Sequence, residues 1–514
     1  MTCDAVVVGA GPNGLVAANA LADAGWDVVV LEAADEAGGA VRSAEVLAPG
    51  VVTDLFSAFY PLAAASPAIR DLDLGDHGLV WRRSPDVLAH VLADGTCAVL
   101  CGDAEDTASR LERDAPGDGD AWLRMVAGWQ RVSGPLLDAL FTPFPPVRPV
   151  SRLVRRIGPA DALDLVRLAA TPVRRLVTEE FRGREAPLLL SGNAGHADVP
   201  PDAAGSGLYG WLLTMLGQDV GFPVPEGGAG RLAAAMVGRA RSRGAEVVVG
   251  AEVVAVEVGG GRATGVRTAD GRRWRARRAV LADVSAPALY DRLLPEHAVP
   301  ARQRQRMRRF EWDPSTLKVN WALSRPVPWR AEGARRAATV HLGVDVDGFV
   351  ASSAAMTTGR RPDPPFVVLG QMGVADPSRT PPGTETVWAY THLPRELAAD
   401  AETLRSQVAA VERALEEVAP GFGNLVTARL VQTPSDLQAA DANLELGAIN
   451  GGSSALHHQL VMRPVAGLGR PGTPVEGLYL ASASAHPGGG VHGACGWNAA
   501  RVALADHGRT GAVR

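Results

Sequence analysis

The chain has 514 residues, of which 46% are hydrophobic and 21% are charged. At roughly 150 residues per domain this length predicts about two to four domains or subdomains around a large core, and the composition excludes a small disulfide-dependent module and a disordered chain. The 51 basic and 56 acidic residues give a net charge of −5 without a long block of one sign, which excludes the electrostatic footprint of a nucleic-acid-binding protein.

The first forty residues have the pattern of a βαβ unit. Residues 5–8 are wholly apolar, as in a buried parallel strand, and they run into the sequence GAGPNG at residues 9–14. A helix with apolar residues at helical spacing follows and ends at Gly25. Residues 28–31 then form a second apolar strand that ends at Glu32.

Each glycine of this unit has a mechanical role. Gly9 supplies the tight turn, Gly11 lets the backbone approach a pyrophosphate, and Gly14 lets helix and strand pack closely. The N-terminus of the helix then faces the phosphates with free N–H groups and its positive dipole end. Because a carboxylate at Glu32 can accept hydrogen bonds from an adenosine ribose, the unit predicts a dinucleotide site.

FAD and NAD share this fingerprint, and the following segment separates them. Residues 33–43 continue with the glycine pair Gly38 and Gly39 and then with Arg42. This segment resembles the extended motif of the glutathione-reductase-like flavoproteins, in which the glycine pair leads the chain along the cofactor towards the flavin. We therefore predict FAD as the cofactor.

Two polar side chains follow in a loop-like stretch. Asp54 and Tyr60 lie in the sequence TDLFSAFYP at residues 53–61. They either border the active site or belong to an ordinary connecting loop, and the sequence leaves both interpretations open.

Residues 86–222 are predicted to be mostly helical. Between Arg152 and Arg184 eight arginines alternate with apolar residues. Four acidic residues between positions 161 and 180 dilute this charge, which favours a solvated helix face. The alternative is a peripheral contact with a membrane surface.

Cysteine usage and hydrophobicity predict the compartment. Four cysteines in a chain of this length cannot form a disulfide framework, so a reducing, cytoplasmic setting is expected. The N-terminus enters a strand at once, without the basic flank or apolar core of an export signal. Because no stretch of about 20 apolar residues is present, we expect no membrane-spanning helix.

Residues 223–290 begin with PVPEGGAGRL and predict a helix to about Arg243, followed by several strands. The glycine triplet at residues 259–261 superficially resembles a second dinucleotide motif. Thr264, however, occupies the third glycine position, and a strand rather than a helix follows. We therefore predict a hairpin here and no NAD(P)-binding domain.

Residues 291–440 change to a pattern of strands and loops. Residues 316–323 alternate as a half-buried strand, on which Lys318, the single lysine of the chain, shares a face with Thr316 and Asn320. This polar row either faces solvent or forms the polar wall of a flavin pocket. In the second case Lys318 would hold a water at the flavin N5 atom or fix a substrate carboxylate or carbonyl.

The C-terminal region predicts a cofactor edge. Residues 477–482 form a last buried strand, and the glycine-rich residues 485–493 lead into a helix from about Val491 to Asp506. Such a helix aims N–H donors at the pyrimidine edge of a flavin. His486 in this loop is either a proton shuttle or a cap of the glycine turn.

The remaining histidines give no metal signature. His457 and His458 are adjacent, so on a strand they would point to opposite faces, with one of them lining the pocket. The eleven histidines and four cysteines show no ligand spacing. We therefore predict no metal site.

Several stretches together resemble the phytoene-desaturase-like FAD oxidoreductases. They are GAGPNGL with Glu32 and GGAVRS near the N-terminus, PEGGAGRL in the centre, and the long stretch from INGGSSALHHQ to GACGWNAARVAL at the C-terminal end. Within this family the chain is most similar to the branch of the animal mitochondrial pyridine nucleotide-disulphide oxidoreductase domain proteins, also over residues 317–329. The resemblance covers nearly the whole chain and implies desaturase, saturase or isomerase chemistry on long apolar molecules.

Two features depart from the family pattern. Ser482 and Ala483 stand where related chains place a glycine and then a polar or acidic residue against the pyrophosphate and ribityl chain. The disulfide-reductase chemistry in the name of the branch is not supported, because Cys97 and Cys101 come too late after the first βαβ unit to be the redox pair of such enzymes. We interpret these two cysteines as core thiols.

The predicted fold is α/β. A Rossmann-like FAD-binding domain of glutathione-reductase type is assembled from residues 1–85, 223–290 and 441–514. An inserted α+β substrate domain consists of the mostly helical residues 86–222 and the sheet-containing residues 291–440.

The predicted function is hydride transfer between an apolar or amphipathic small molecule and flavin N5, with oxygen, a quinone or a carrier protein rather than NAD(P) as electron acceptor. The alternatives are an amine-oxidase-type flavoenzyme and a protein that binds FAD for assembly or interaction without turnover. The candidate catalytic residues are Lys318 and His486. The expected cofactor-binding residues are Gly9, Gly11, Pro12, Asn13, Gly14, Glu32, Ala33, Gly39, Val41, Arg42, Val254, Gly489, Gly490 and Val491.

Overall fold

Two large β-sheets organise the chain, and the computed structural model describes residues 1–511 of it. The strands are β1 (Thr2–Val8), β2 (Val28–Leu31), β3 (Ser43–Ala44), β4 (Thr53–Asp54), β5 (Trp81–Arg82), β6 (Asp86–Val91), β7 (Cys97–Cys101), β8 (Val224–Pro225), β9 (Glu246–Val248), β10 (Val253–Gly259), β11 (Arg262–Thr268), β12 (Arg273–Ala282), β13 (Ser315–Leu323), β14 (Ala337–Leu342), β15 (Val367–Gln371), β16 (Glu385–Leu393), β17 (Val426–Gln432) and β18 (Leu478–Leu480). The α-helices are α1 (Pro12–Asp23), α2 (Pro61–Ala65), α3 (Pro67–Arg70), α4 (Ala104–Asp114), α5 (Asp118–Phe141), α6 (Val147–Ala170), α7 (Val173–Glu180), α8 (Glu185–His196), α9 (Ser206–Val220), α10 (Gly230–Ser242), α11 (Ala301–Met307), α12 (Val346–Thr357), α13 (Met372–Ala375), α14 (Ala401–Val418), α15 (Pro434–Ala440) and α16 (Ala494–Gly511).

The first sheet is built around parallel strands. Its order is β10-β11-β12-β1-β2-β9, and β18 pairs in parallel with the C-terminal end of β12. β1 pairs in parallel with both β12 and β2, and β2 with β9. These strands come from three separated parts of the chain, which is the expected assembly of a Rossmann-like domain from discontinuous segments.

An antiparallel meander extends this sheet. β10 pairs with β11, and β11 pairs with the N-terminal part of β12. Gly259 lies opposite Arg262 at the turn between β10 and β11. The hairpin predicted at the glycine triplet is therefore confirmed.

Helices α1, α10 and α16 cover one face of the first sheet in a common apolar core. A Cβ atom at Gly496 of α16 would overlap the carbonyl oxygen of Asn13 in α1. One at Gly493 would come within 2.6 Å of Cγ2 of Val16. The absence of side chains at these glycines lets α16 approach the N-terminus of α1, and this brings the preceding loop to the edge of the first sheet.

The second sheet has the order β17-β13-β16-β15-β14-β6-β7. Neighbouring strands are antiparallel, except that β14 and β6 are parallel. One face is apolar, and its side chains, such as Leu317 and Val319 of β13, share a core with Val411 and Leu415 of α14. The opposite face packs against α8 and contains many polar side chains.

Three elements differ from the sequence prediction. β6 falls within the part predicted to be mostly helical, and it joins the second sheet together with β7. Within residues 291–440 the pattern indicated strands and loops, but α14 lies there; its apolar residues at helical spacing, such as Val408, Val411 and Leu415, bury one face on the sheet. β13 is buried along its whole length rather than half-buried, because both of its faces are covered.

Two loops also differ from the prediction. The last helix begins at Ala494 rather than Val491, since Gly493 has a φ of +66° and His492 Nδ1 accepts the N–H of Ala494. His457 and His458 lie in a 3-10 turn with ring centroids 4.4 Å apart. They therefore do not point to opposite faces of a strand.

Among residues 1–511 no helix combines the length and the hydropathy needed to cross a membrane. The arginine-rich helices α6 and α7 lie at the surface, and α6 is kinked at Gly158, which has a φ of +82°.

Candidate cofactor and substrate site

The turn between β1 and α1 has no room for side chains. Gly9 has a φ of +95°, which favours glycine. A Cβ atom at Gly11 would come within 2.7 Å of Oδ2 of Asp283, and one at Gly14 would overlap the carbonyl oxygen of Gly9. The three glycines therefore form a tight turn, which we call the glycine cradle, and backbone groups together with the carboxyl group of Asp283 line it.

The N-terminus of α1 opens into this cradle. Pro12 occupies the first turn of the helix, where its missing N–H costs no hydrogen bond. The next residue, Asn13, is buried, and its Oδ1 atom has no hydrogen-bond partner. An unsatisfied buried amide oxygen is an acceptor, so it fits a site that is completed by a bound molecule with a hydrogen-bond donor such as a hydroxyl, while the N–H groups of the helix N-terminus suit an anion.

Glu32 lies at the end of β2, and its carboxylate fixes the backbone on both sides of the cradle's outer end. Its Oε2 atom accepts the N–H of Ala10 at 2.7 Å and its Oε1 atom accepts that of Ala34 at 2.9 Å. Ala33 between them is exposed. The N–H of Ala251 donates to the carbonyl of Glu32 at 2.7 Å, which brings the start of β10, with the half-buried Val254, to the end of the site where an adenosine is expected.

Asp283 is a residue of the cradle that the sequence reasoning missed. It follows β12 directly, and its Oδ2 atom accepts the N–H of Gly14 at 2.8 Å. Burial raises its pKa to about 8, and the nearby Asp441 and Glu32 add to the shift. At neutral pH Asp283 is therefore mostly protonated, which removes one negative charge from the surroundings of a pyrophosphate. Its position at the carboxyl end of a parallel strand was the available signal.

The predicted glycine pair and arginine continue the cradle. Gly39 has a φ of +53°, and a Cβ atom on it would lie 3.1 Å from Cα of Gly11. Val41 is fully buried. Arg42 is also buried, and it donates to the carbonyls of Gly39 and Ala440 at 2.9 and 2.7 Å. Arg42 thus fixes the backbone that borders the cradle.

Asp54 lies in β4 and joins three distant segments of the chain, rather than forming part of an ordinary loop. Its carboxylate pairs with the fully buried guanidinium of Arg379 and also accepts the hydroxyl of Ser43 and the N–H of Ala229, both at 2.8 Å. Tyr60 is buried beside this junction. A buried ion pair with all of these hydrogen bonds satisfied specifies one arrangement of the two domains.

Lys318 links β13 of the second sheet to the chain segment before α2. Its Nζ atom donates to the carbonyls of Asp54 at 2.5 Å and Phe56 at 3.0 Å, and it lies 5.3 Å from the ring centre of Trp388. The side chain is 3% exposed, so the solvent-facing alternative is wrong. Burial lowers the pKa of Lys318 to about 7, although Asp54 opposes the shift. A lysine that changes protonation near neutral pH can hold or release a proton, and its catalytic role stays a prediction.

The face of the second sheet that carries Lys318 is polar across several strands. In the register of β13 and β16, Thr316 lies opposite His392 and Lys318 lies opposite Tyr390. We define the polar face by the buried or half-buried side chains that share this side of the sheet: Thr316, Lys318, Asn320, Trp388, Tyr390, His392, Thr339, His341 and His90. The predicted polar row on β13 is thus one edge of a larger surface.

The loop before α16 lies at the opposite side of the site. A Cβ atom at Gly489 would come within 2.8 Å of Oδ1 of Asn450, and one at Gly490 would come equally close to Cδ1 of Leu62. Val491 is half-buried against the core of the first sheet. We call residues 486–492 the flavin-edge loop, after the sequence prediction that the helix following it faces the edge of the flavin.

His486 lies in the flavin-edge loop and is buried. Its ring packs edge-on at 6.4 Å from Phe144, and its Nε2 atom has no hydrogen-bond partner. Burial, together with the charge of Arg463, lowers its pKa to about 4. His486 is therefore neutral at physiological pH, and its role as a proton shuttle stays a prediction.

Asp313 and Arg463 hold the neighbouring loop, and no sequence spacing had indicated them. Asp313 accepts the N–H groups of Ile449 at 2.6 Å and Asn450 at 2.8 Å. Arg463 donates to the carbonyls of Asn450 and Ala483, both at 2.8 Å. Asp313 thus binds N–H groups of this loop and Arg463 binds its carbonyl groups. Together the two buried side chains hold Asn450 against Gly489.

Among residues 1–511 the structure brings together one group with metal-ligand character. Glu311 lies within 2.9 Å of Nε2 of His458 and within 3.9 Å of Nε2 of His457, at the surface. The absence of a metal stays a prediction, since these three side chains are close enough to share an ion. All four cysteines, including Cys97 and Cys101 on β7, are free thiols.

Comparisons with known proteins agree with this geometry. The family described as flavin containing amine oxidoreductase matches residues 13–504. The chain is 29% identical to pyridine nucleotide-disulfide oxidoreductase domain-containing protein 2 of Mus musculus, over 98% of this chain and 93% of that protein. It is 25% identical to the lycopene-forming phytoene desaturase of Pseudescherichia vulneris, over 95% and 96% of the two chains.

Among solved structures, wild-type putrescine oxidase bound to putrescine superimposes with a TM-score of 0.61 at 18% identity and covers 99% of both chains. Together with the family match, this confirms the predicted fold class of a Rossmann-like FAD domain with a substrate domain. The glycine cradle, Glu32 and the unpartnered Asn13 fit FAD as the cofactor.

Proposed function

We propose, from the premise that the chain belongs to the flavin containing amine oxidoreductase family, that it removes hydride from an apolar or amphipathic small molecule bound between the glycine cradle and the polar face. The chain is an FAD-dependent oxidoreductase, and the bound flavin supplies the hydride acceptor. The observation that carries the proposal is the buried Lys318, which joins the polar face to the backbone at Asp54 and Phe56.

The chain's own residues prepare this site for hydride transfer. The backbone of the glycine cradle binds the dinucleotide, while Asp54 and Arg379 hold the two domains in register. Burial of Lys318 excludes bulk water from the junction. With a pKa of about 7, Lys318 can hold a proton at Nζ or give it up close to neutral pH.

Apolar side chains near the polar face support the substrate class. Phe59, Leu62 and Leu212 are only half-buried and border the helical core. The ring of Phe59 lies 5.7 Å from that of Trp388. The phytoene desaturase among the relatives is named for an apolar substrate, whereas the putrescine oxidase structure contains an amine; the half-buried apolar residues favour the first class.

Anaerobic reduction of the flavin tests this proposal. The FAD-loaded protein is mixed with apolar, amphipathic and amine fractions of a metabolite extract, and the visible absorbance of the flavin is followed. We expect bleaching by an apolar or amphipathic fraction. Bleaching by the amine fraction alone would favour the amine-oxidase alternative, and no bleaching by any fraction would favour an FAD-binding protein without turnover.

For the electron acceptor we propose oxygen, a quinone or a carrier protein. The glycine triplet at residues 259–261, which superficially resembles a second dinucleotide motif, forms the turn of a hairpin. NADH and NADPH should therefore reduce the flavin poorly. Stopped-flow bleaching by either nucleotide at about 1 s⁻¹ or faster, a normal turnover scale, would contradict this.

We also propose that an anionic membrane surface delivers the substrate while the protein itself remains cytoplasmic. α6 exposes Val147, Leu163 and Val166 by 67, 69 and 65%, and the basic residues between Arg152 and Arg156 lie on the same helix. A Cβ atom at Gly205 would contact both Leu456 and the carbonyl of Ala169 at the end of α6, and residues 460–462 expose further apolar side chains. Exposed apolar and basic side chains together fit an anionic bilayer.

Vesicle co-sedimentation tests the membrane contact. We expect binding to phosphatidylserine-containing vesicles that falls with salt, and a reduction of at least fivefold in the variant Leu163→Ser/Val166→Ser. Val80→Ser, which changes a valine exposed elsewhere, is the matched control. Equal sedimentation with neutral and anionic vesicles would instead support a solvated helix face.

A further inference from the structure

Three side chains with metal-ligand atoms meet at the surface, beside the loop that contains Asn450. Glu311 precedes β13, whereas His457 and His458 lie in the 3-10 turn Leu456–His458. Nε2 of His458 lies 2.9 Å and Nε2 of His457 lies 3.9 Å from the same atom, Oε2 of Glu311. We call these three residues the Glu–His–His cluster.

A single ion pair does not account for the position of both rings. The contact at 2.9 Å pairs Glu311 with His458, but His457 is too distant for a hydrogen bond, and its side chain is 72% exposed, so packing does not force it there. Successive side chains in a 3-10 turn are about 120° apart, so neighbouring rings normally diverge. Here the two ring centroids are only 4.4 Å apart, and both Nε2 atoms approach one carboxylate oxygen. This convergence of three ligand atoms is the arrangement that a shared cation requires.

The separations fit the coordination shell of one zinc ion. Zinc binds imidazole nitrogen at about 2.0–2.1 Å and carboxylate oxygen at about 2.0–2.2 Å, with tetrahedral geometry, so two of its ligand atoms are about 3.4 Å apart. The observed distances of 2.9 and 3.9 Å lie on either side of this value, and all three ligand atoms lie within 4.8 Å of one another. Small rotations of these side chains, without movement of the backbone, therefore bring all three atoms to bonding distance of one ion.

Hydrogen bonds hold the two segments together next to the cluster. The carbonyl of Glu311 accepts the N–H of Ser453 at 2.8 Å. Nε2 of Gln459, which follows the two histidines, donates to the carbonyl of Ser453 at 3.0 Å. The side chain of His458 is only 17% exposed and so is restricted by its surroundings. The ligands are therefore largely preorganised, which reduces the entropy lost when an ion binds.

We propose that the Glu–His–His cluster binds one zinc ion, with water as the fourth ligand. Two imidazole nitrogens and a carboxylate oxygen suit Zn²⁺, whereas Mg²⁺ and Ca²⁺ prefer oxygen ligands alone. Solvent reaches the site because Glu311 and His457 are exposed. The ion has no part in the flavin chemistry proposed above. The sequence predicted no metal site because ligand spacing was absent, and only the folded chain brings Glu311 to the two histidines.

The bound ion ties the segment before β13 to the 3-10 turn that contains the histidines. Asp313 of the same segment accepts the N–H of Asn450 at 2.8 Å. Asn450 packs on Gly489 and donates to Oδ2 of Asp198 at 2.5 Å. Asp198 pairs with His392 on the polar face. Zinc therefore stabilises a loop that borders both the flavin-edge loop and the polar face.

Calorimetric titration with ZnCl₂ tests the inference on the tag-free, FAD-loaded protein, after treatment with EDTA and removal of the chelator. We expect one zinc ion per chain with a Kd of about 10 µM or tighter. Each of the variants Glu311→Gln, His457→Gln and His458→Gln should bind zinc at least tenfold more weakly, because each removes one of three ligands. Zinc should also slow amide hydrogen exchange in residues 449–463 of the wild type and leave it unchanged in the variants.

His297→Gln is the matched control, because His297 is an exposed histidine next to an acidic residue, Glu296, in another 3-10 turn. It should bind zinc like the wild type. A weaker affinity in the wild type, a smaller loss in any of the three variants, or an equal loss in the control overturns the site, and unchanged amide exchange overturns the role of the ion in holding the loop. Flavin absorbance and circular dichroism check the fold of each variant. If the half-buried position His458 does not tolerate glutamine, the two exposed positions decide the outcome.

Discussion

The glycine cradle and the polar face recognise their partners in opposite ways. The cradle is lined mainly by backbone, because Gly9, Gly11 and Gly14 have no side chains, and the carboxyl group of Asp283 is the side-chain group that borders them. The polar face is a surface of side chains contributed by several strands. A site made of backbone needs several residues of special conformation close together in the sequence. A site made of side chains needs only single residues from each of several strands.

The two regions also differ in how they manage charge. The cradle keeps an acidic residue, Asp283, uncharged by burial. The junction at the polar face keeps charges and pairs them, as between Asp54 and the fully buried Arg379. The cradle therefore suits a bound anion, while the acidic and basic side chains of the junction neutralise each other. Changes in the cradle should affect cofactor binding, and changes in the junction should affect domain arrangement and stability.

The largest effect is expected in the cradle. Gly11→Ala places a methyl group within 2.7 Å of Oδ2 of Asp283 and in the path of the pyrophosphate. We expect at least a tenfold loss of flavin absorbance per protein after purification. Gly128→Ala is the matched control, because a Cβ atom there meets nothing within 4 Å. Equal flavin content in Gly11→Ala and the wild type would show that the cofactor does not approach this turn.

The cradle could be predicted because its signal is local. Glycines at positions 9, 11 and 14, a strand before them, a helix after them and Glu32 at the next strand end all lie within about thirty residues, and each has one mechanical reason. The parallel pairing of β1 with β2 followed from the same unit. Only Asp283 was missed, since it joins the cradle from a distant strand.

The polar face could be predicted only in part. Alternation placed Lys318 on the correct polar side of β13, but whether that side meets solvent or another layer depends on α8 and on residues 53–60, which no local pattern reveals. Asp198, His392 and Asn450 lie far apart in the sequence and meet through three unrelated elements. Their contact arises only in the tertiary structure. Single polar residues in a strand or at a helix end form no sequence pattern that could predict it.

The next effect concerns Lys318, which joins the polar face to the backbone at Asp54 and Phe56. Burial lowers its pKa from 10.5 in the unfolded chain to about 7 in the folded protein. Between these values the unfolded state binds more protons, so this group makes the wild type gain stability as the pH rises, by up to about 1.4 kcal/mol per pH unit. Lys318→Met lacks this contribution.

Urea unfolding of both proteins between pH 7.5 and 9.5 measures the difference. We expect the free energy of unfolding of the wild type to rise relative to that of Lys318→Met across this range, while both proteins retain FAD. Parallel pH dependences in the two proteins would mean that Lys318 is solvated in solution. Acylation of this single lysine gives an independent check, because the reaction should be slow in the folded protein and fast in urea.

A smaller effect is expected at Asp283, whose folded pKa of about 8 makes cofactor affinity depend on pH. Below pH 8 the carboxyl is neutral, and above it the new negative charge opposes the pyrophosphate. The affinity for FAD should therefore fall by about tenfold between pH 7 and pH 9. Asp283→Asn keeps the shape and an acceptor for the N–H of Gly14, and should remove most of this dependence. A pH profile that is the same in both proteins would assign the titration to another group.

The smallest effect is expected in the flavin-edge loop, which belongs to neither the glycine cradle nor the polar face. His486 packs against Phe144 and has a pKa lowered to about 4, so its ring is neutral throughout the range from pH 6 to pH 8. His486→Asn should therefore leave any pH-dependent change of the flavin spectrum in this range unaltered, whereas a histidine with an ordinary pKa near 6.5 would produce a step that the variant lacks. Spectral titration of both proteins at equal flavin content decides between these outcomes. A step near pH 6.5 in the wild type alone would mean that the ring is hydrated and can exchange protons beside the flavin, which is the condition that a proton shuttle requires.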